Sequence, residues 1–197
     1  MKIETIVGKI DSNTFVVQKG DTTIVIDAGA TLSDLQKTLG KRRPSAILLT
    51  HEHYDHVFYL DDYKKAVYDG FLDTNVDTFG INWASRYFLG HKKEFACEII
   101  TPSTEDEIVI GDFKIQPILC PGHSPQSVVY LIDENLFTGD VLFSNTIGRT
   151  DLMPDGAKIM QTTLRKLLDV KFETAYHGHY EPSTYDEQQK NIRRFLR

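Results

Sequence analysis

Cysteine is nearly missing from this chain: Cys97 and Cys120 are the only two in 197 residues, and they form no Cys-x-x-Cys pair. Neither a disulfide framework nor a thiolate zinc site is indicated. No hydrophobic run approaches bilayer-spanning length, and Met1-Lys2-Ile3-Glu4-Thr5 has no signal-peptide apolar stretch, so a cytoplasmic protein with no membrane partner is expected. A surplus of positive charge is lacking too. The net charge of −6 argues against nucleic acid, whose binders normally carry a basic face. Low-complexity stretches and Pro/Gly/Ser-rich linkers are also missing, which leaves residues 1–197 as a single domain. What remains is ordinary for a globular chain, 41% hydrophobic and 25% charged, at a length that can bury a sizeable core.

Histidine, by contrast, is concentrated. His51, His53 and His56 fall with Asp55 inside the single stretch Thr50-His-Glu-His-Tyr-Asp-His56. Neutral imidazole and carboxylate are ligands for zinc, iron or manganese, and a loop lets close neighbours fan around one point. The bland alternative is a histidine-rich surface turn, and the placement argues against it. Ala46-Ile47-Leu48-Leu49 just before reads as a buried strand, and Val57–Tyr63 just after reads as the opening of a helix. Open α/β sheets build their sites at such C-terminal strand ends.

In order along the chain, 13–18 and 22–26 are β-rich runs joined by Lys19-Gly20-Asp21, a hairpin signal. Asp27-Ala28-Gly29 breaks the second strand, and Thr31-x-x-Asp34 opens a helix with Leu32, Leu35 and Leu39 on one face, ending at Gly40. The strand 46–49 and the histidine loop follow. The second half repeats the grammar. Strands over 108–110 and 113–119 flank Gly111-Asp112, and further strands are expected at 127–132 and 136–138. A helix over 157–169 precedes a strand at 173–176, and Thr184-x-x-Glu187 caps a final helix. Two such halves, each ending in a histidine loop, predict an α/β fold of two face-to-face sheets with helices outside and metal ligands along one edge.

Between the halves lies 70–97, rich in aromatics. Phe79, Trp83 and Tyr87 repeat at i, i+4 and i+8, one face of a helix packed on the body; a cap over the site or a subunit contact in a homodimer is the sharper reading.

Three more segments look like ligand sites. Cys120-Pro121-Gly122-His123-Ser124 puts a histidine in a tight turn after a strand, Phe137-Thr138-Gly139-Asp140 puts an aspartate at a strand end, and His177-Gly178-His179 offers two histidines at another. Alone, each is as well explained by a turn former or a satisfied surface residue; with 50–56 they form one convergent set. At this point the chain resembles the metallo-β-lactamase superfamily: Thr-His-x-His-x-Asp-His, Gly-His, Gly-Asp and Gly-His occur in that order across nearly its whole length. It looks closest to the glyoxalase II-like hydrolases, through Pro121-Gly122-His123-Ser124-Pro125, Gly139-Asp140-Val141-Leu142-Phe143 and Ile147-Gly148-Arg149-Thr150-Asp151-Leu152.

The resemblance implies a four-layer αββα sandwich. It implies that His51, His53 and His123 hold one divalent metal ion and Asp55, His56 and His179 a second, with Asp140 bridging, zinc expected first and iron or manganese as alternatives. Asp55 and Asp140 would then be the catalytic carboxylates and Asp27 would stand behind the ligands; beside the resemblance, His177 is a candidate for the same place, and Arg149, Lys92 and Lys93 are candidate anion contacts, Arg149 for the substrate. The implied reaction is hydrolysis of a small thioester or related ester by a metal-bound hydroxide. A thioester suits such a site because a thiol of pKa ~8.5 departs without a strong general acid.

Departures from the family pattern are visible. Val57-Phe58-Tyr59 stands where glycines usually follow the metal histidine, Gln126 where a glycine is common, and His177 where a proline is common. Only eighteen residues follow His179, whereas full glyoxalase II enzymes carry an extra helical domain that binds glutathione, so glutathione specificity is not expected. Two competing readings remain. Persulfide dioxygenases, which are oxidoreductases, share much of this motif set and use one non-haem iron on residues matching His51, His123 and Asp140. A non-catalytic binding protein stabilised by metal is the other, disfavoured because structural zinc sites are normally closed and often cysteine-rich.

Overall fold

The computed structural model describes residues 1–63, 77–79 (backbone only) and 104–196. By contact the chain divides into two compact units: Met1–Thr101 with Val109–Phe113, and Pro102–Ile108 with Lys114–Arg197. Among the described residues no helix is long and apolar enough to cross a membrane.

The first sheet has five strands in spatial order, β1 (Lys2–Val7), β2 (Asn13–Lys19), β3 (Thr22–Ile26), β4 (Ala46–Leu48) and β5 (Asp77–Phe79). The first three are antiparallel, whereas β3, β4 and β5 run parallel, so a crossover helix is required between β3 and β4. That helix is α1 (Leu32–Leu39). Its N-cap Thr31 accepts from the Asp34 N–H, Leu35 and Leu39 are buried, and Gly40 takes a positive φ of 60° to end it. Every residue of β3 and β4 is buried, which is why their apolar runs show no alternation. Because Ile26 pairs with Leu48, the chain leaves both strands at the same end of the sheet, and Asp27 emerges beside the start of the histidine loop. Leu35 packs among Val16, Val25, Ile47 and Leu49. Leu35→Ala is expected to lower unfolding free energy by about 2–5 kcal/mol, read as the shift in urea midpoint.

The second sheet has six strands in the order β11-β10-β9-β8-β7-β6, with β6 (Ile108–Ile110), β7 (Phe113–Leu119), β8 (Val128–Ile132), β9 (Asn135–Phe137), β10 (Thr174–Tyr176) and β11 (Ser183–Thr184). Here β9 and β10 are parallel, and α3 (Gly156–Leu168) makes the crossover, burying Met160, Leu164 and Leu167 against Ile118, Val129 and Leu136. Helix α4 (Tyr185–Phe195) follows β11 and opens with a complete capping box. The Thr184 side chain accepts from the Glu187 N–H, and the Glu187 carboxylate accepts from the Thr184 N–H. Thr184→Ala is expected to cost about 1 kcal/mol, measured by thermal unfolding of the unit that α4 closes.

Some elements add to or differ from the sequence reading, among them the two-residue strand β11, which was not expected. Strand β1 was not expected: it lies at the sheet edge and no residue of it is fully buried, so it carries no apolar period. A short helix, α2 (Tyr54–Val57), lies inside the histidine motif, and the helix expected after the motif is present, with 60–63 helical. Phe79, placed on a helical face with Trp83 and Tyr87, belongs instead to β5, where it pairs with Leu48. The rest of 70–97, including Trp83, Tyr87, His91, Lys92, Lys93 and Cys97, lies outside the described residues.

Candidate metal centre

Within the first unit, the loop leaving β4 carries His51, His53 and His56, with exposures of 2%, 6% and 0%. Their rings gather tightly: His51 lies 4.6 Å from His53 and 4.2 Å from His56, centroid to centroid. Asp27 organises this cluster from behind. Fully buried and held at φ 62°, it accepts from the Thr50 N–H (2.8 Å), from the Thr50 hydroxyl (2.8 Å) and from His56 Nδ1–H (2.8 Å). With its proton committed to Asp27, the Thr50 oxygen accepts from His51 Nδ1–H at 3.1 Å. One carboxylate thus fixes the tautomer of two imidazoles and leaves their Nε2 atoms as the ligating positions. Asp55 is anchored by its backbone, its carbonyl accepting from the Ser12 hydroxyl (2.6 Å), while its carboxylate lies 3.5 Å from His56 Nε2. Glu52, between two of the histidines, was passed over by the sequence reading. It is 1% exposed, and burial pushes its carboxyl up to about 7.

Within the second unit, three strand ends deliver the other donors. The turn after β7 places His123 through Gly122, which adopts φ 139° and sits so close to α3 that a Cβ there would meet Met160 Cα at 2.8 Å. His123 Nδ1–H donates to the Arg149 carbonyl at 3.0 Å, again leaving Nε2 for a ligand. Asp140, after β9, has Oδ2 3.6 Å from His123 Nε2 and 3.4 Å from His179 Nε2. These gaps are long for a hydrogen bond, and each is the spacing expected of two donors that share a metal ion. Gly148 closes the back of this half: a Cβ there would overlap the Asp140 carbonyl and crowd His123 Nδ1 at 3.0 Å.

Two further residues singled out by sequence behave differently. His177 is buried with one nitrogen 2.9 Å from Thr138 Oγ1 and the other 2.8 Å from Ser183 Oγ, so both are used inside the protein. Burial drives its pKa down to about 4, and the ring is neutral at pH 7. The Arg149 guanidinium, expected to meet substrate, makes a two-pronged pair with Asp151 at 2.8 and 2.6 Å, while its carbonyl orients His123. Cys120 is buried among apolar side chains, its thiol pushed up to about 12, and is no nucleophile.

The donor set is imidazole and carboxylate with no thiolate, three imidazoles have their Nδ1 atoms anchored, and one carboxylate is shared between two of the donors. That chemistry fits divalent metal ions. Residues 7–70 and 76–179 match the Metallo-beta-lactamase superfamily. The chain belongs to that superfamily. Its relatives include the probable metallo-hydrolase YqgX of Bacillus subtilis, 30% identical over 200 residues that cover 94% of this chain and 93% of that one. The probable polyketide biosynthesis zinc-dependent hydrolase PksB, also of Bacillus subtilis, is 28% identical over 82% of this chain and 66% of its own length. Among solved structures, the BLEG-1 B3 metallo-beta-lactamase is similar with a TM-score of 0.80 and 27% identity, covering 98% of this chain and 99% of that one. TTHA1623 in a di-iron-bound form is similar with a TM-score of 0.76 and 26% identity, covering 97% and 98%. The chain therefore has the α/β metallo-β-lactamase fold, with two mixed sheets and their helices, as the element order indicated. Membership places the chain among metallo-hydrolases.

Proposed function

We propose that the two histidine clusters close on a pair of divalent metal ions and that the chain is a glyoxalase II-like hydrolase acting on a small thioester or related ester. In this reading His51, His53, His123 and Asp140 make up one ligating group and Asp55, His56 and His179 the other, a donor number that supports a pair rather than a single ion. The observation that carries the reading is the Asp140 carboxylate. One of its oxygens stands nearly equidistant from His123 and His179, donors from different groups, as a bridging ligand requires. The zinc dependence stated for PksB favours zinc, and the di-iron form of TTHA1623 makes iron the alternative.

Ions bound there would supply Lewis acidity and lower the pKa of water towards ~7, giving a nucleophile at neutral pH. The chain's own contribution is orientation. Asp27, directly and through Thr50, keeps the Nδ1 protons of His56 and His51 turned away from the ligand side, and the Arg149 carbonyl does the same for His123. Asp140 and Asp55 would add negative charge and oxygen donors, both of which favour binding of divalent cations. With a thioester as substrate, no side chain has to protonate the leaving group, because a thiol of pKa ~8.5 departs as thiolate.

The test pairs two assays on protein purified without chelator: anaerobic hydrolysis of a thioester panel, and oxygen uptake with glutathione persulfide. Thioester turnover without oxygen is expected. A single iron per chain with oxygen consumption would replace this reading by a persulfide dioxygenase using His51, His123 and Asp140.

A further inference from the structure

Four polar side chains in the second unit are buried together although none belongs to the ligand groups: Thr138, His177, Ser183 and Gln188, with exposures of 0%, 1%, 5% and 0%. Their hydrogen bonds run in one direction. Gln188, on α4, donates to Ser183 Oγ at 2.9 Å. The Ser183 hydroxyl reaches one nitrogen of His177 at 2.8 Å, the other nitrogen reaches Thr138 Oγ1 at 2.9 Å, and the Thr138 hydroxyl donates to the Leu142 carbonyl at 2.9 Å. A neutral imidazole that accepts from Ser183 and donates to Thr138 satisfies every link. The chain passes between the two segments that carry metal donors. Asp140 lies between Thr138 and Leu142, and His179 lies two residues beyond His177. The backbones are stitched on either side of it, Thr138 N–H to the Tyr176 carbonyl and Gly178 N–H to the Gly139 carbonyl, both at 2.8 Å. A second arm starts from the same amide: Gln188 also donates to the Phe143 carbonyl at 2.8 Å, and the Phe143 ring stands edge-on to the His179 ring at 5.8 Å.

We infer that His177, braced from α4 by Ser183 and Gln188, is a positioning residue that sets the separation of Asp140 and His179 and so tunes how tightly the metal between them is held. The inference rests on the metal-centre reading above. Removing the imidazole takes away a side-chain tie between the Asp140 turn and the His179 segment, and leaves Thr138 and Ser183 without their shared partner. Outer partners that orient ligands typically change metal affinity by about 10–100-fold when lost.

The experiment is a zinc titration in competition with a chromophoric chelator, comparing wild type with His177→Phe, which keeps a ring but loses both links, His177→Asn and Ser183→Ala. The unfolding midpoint of each metal-free protein is measured alongside. His177→Phe is expected to bind the more weakly held zinc about 10–100-fold less tightly, with Ser183→Ala shifted the same way by less. His177→Asn, which keeps a donor towards Thr138, should fall between wild type and His177→Phe. Lower metal-free stability with unchanged zinc affinity in all three variants would show a merely structural cluster and overturn the inference alone. A wild type that binds no zinc would remove both the inference and the metal-centre reading. If His177→Phe does not fold, Ser183→Ala read in the same titration decides.

Discussion

Asp140→Asn is expected to lower kcat/KM for the thioester substrate by on the order of 10³ and to reduce the metal content by one ion per chain. The substitution keeps size and shape, so the effect isolates the charge and the second lone-pair oxygen. In the protein the carboxylate lies 3.6 Å from His123 Nε2 and 3.4 Å from His179 Nε2, a position from which one oxygen can serve two cations. An amide offers one weakly basic oxygen and an NH2 that cannot ligate. Two positive ions would then approach each other without the negative charge that screens them. The measurements are steady-state kinetics and elemental analysis of the same preparation. Retention of two ions with activity within tenfold of wild type would show that Asp140 is not a bridge.

Asp27→Asn carries the second large effect, this time on the metal-free protein as well. The Asp27 carboxylate accepts from the Thr50 N–H, the Thr50 hydroxyl and His56 Nδ1–H, all inside a fully buried pocket. The amide leaves one of these donors facing another donor, and a buried polar group without its partner costs about 1–3 kcal/mol, more where the lost acceptor was charged. Asparagine tolerates the positive φ of 62° at this position, so backbone strain does not confuse the result, as it would with alanine. A loss of about 3 kcal/mol in the urea unfolding of the metal-free protein is expected. Zinc affinity should fall about 10–100-fold as His51 and His56 lose their fixed tautomers. Unchanged stability would mean that Asp27 does not hold the histidine loop in place.

The candidate ligand residues stood out in the sequence because they are chemically rare residue types at strand ends. His51, His53, Asp55 and His56 sit together in the sequence, and the strand before them is a plain apolar run. The α1 cap at Thr31 and the α4 capping box at Thr184 and Glu187 were legible for the same local reason, since both ends of each hydrogen bond lie three residues apart. What could not be read is what depends on backbone groups and on distant partners. Every residue has a carbonyl, so nothing marks the one at Arg149 as the group that orients His123. His177 drew notice as an unusual residue before Gly178-His179, but its bond to Ser183 and that residue's bond to Gln188 did not, because serine and glutamine carry no spacing signal. The aromatic repeat misplaced Phe79, because an even spacing suits a strand as well as a helix, and Phe79 is held in β5 by parallel pairing with Leu48. Strand β1 escaped notice because an edge strand with no fully buried residue has no hydrophobic face to reveal it.

The central claim is that imidazoles and carboxylates from both ends of the chain share two cations, and metal stoichiometry tests it most directly. Elemental analysis of the wild type and of His123→Ala, both purified without chelator and reloaded with zinc, should give two ions per chain for the first and a clear deficit for the second. A wild type that holds no zinc, or a His123→Ala variant that holds as much as the wild type with equal affinity, would contradict it.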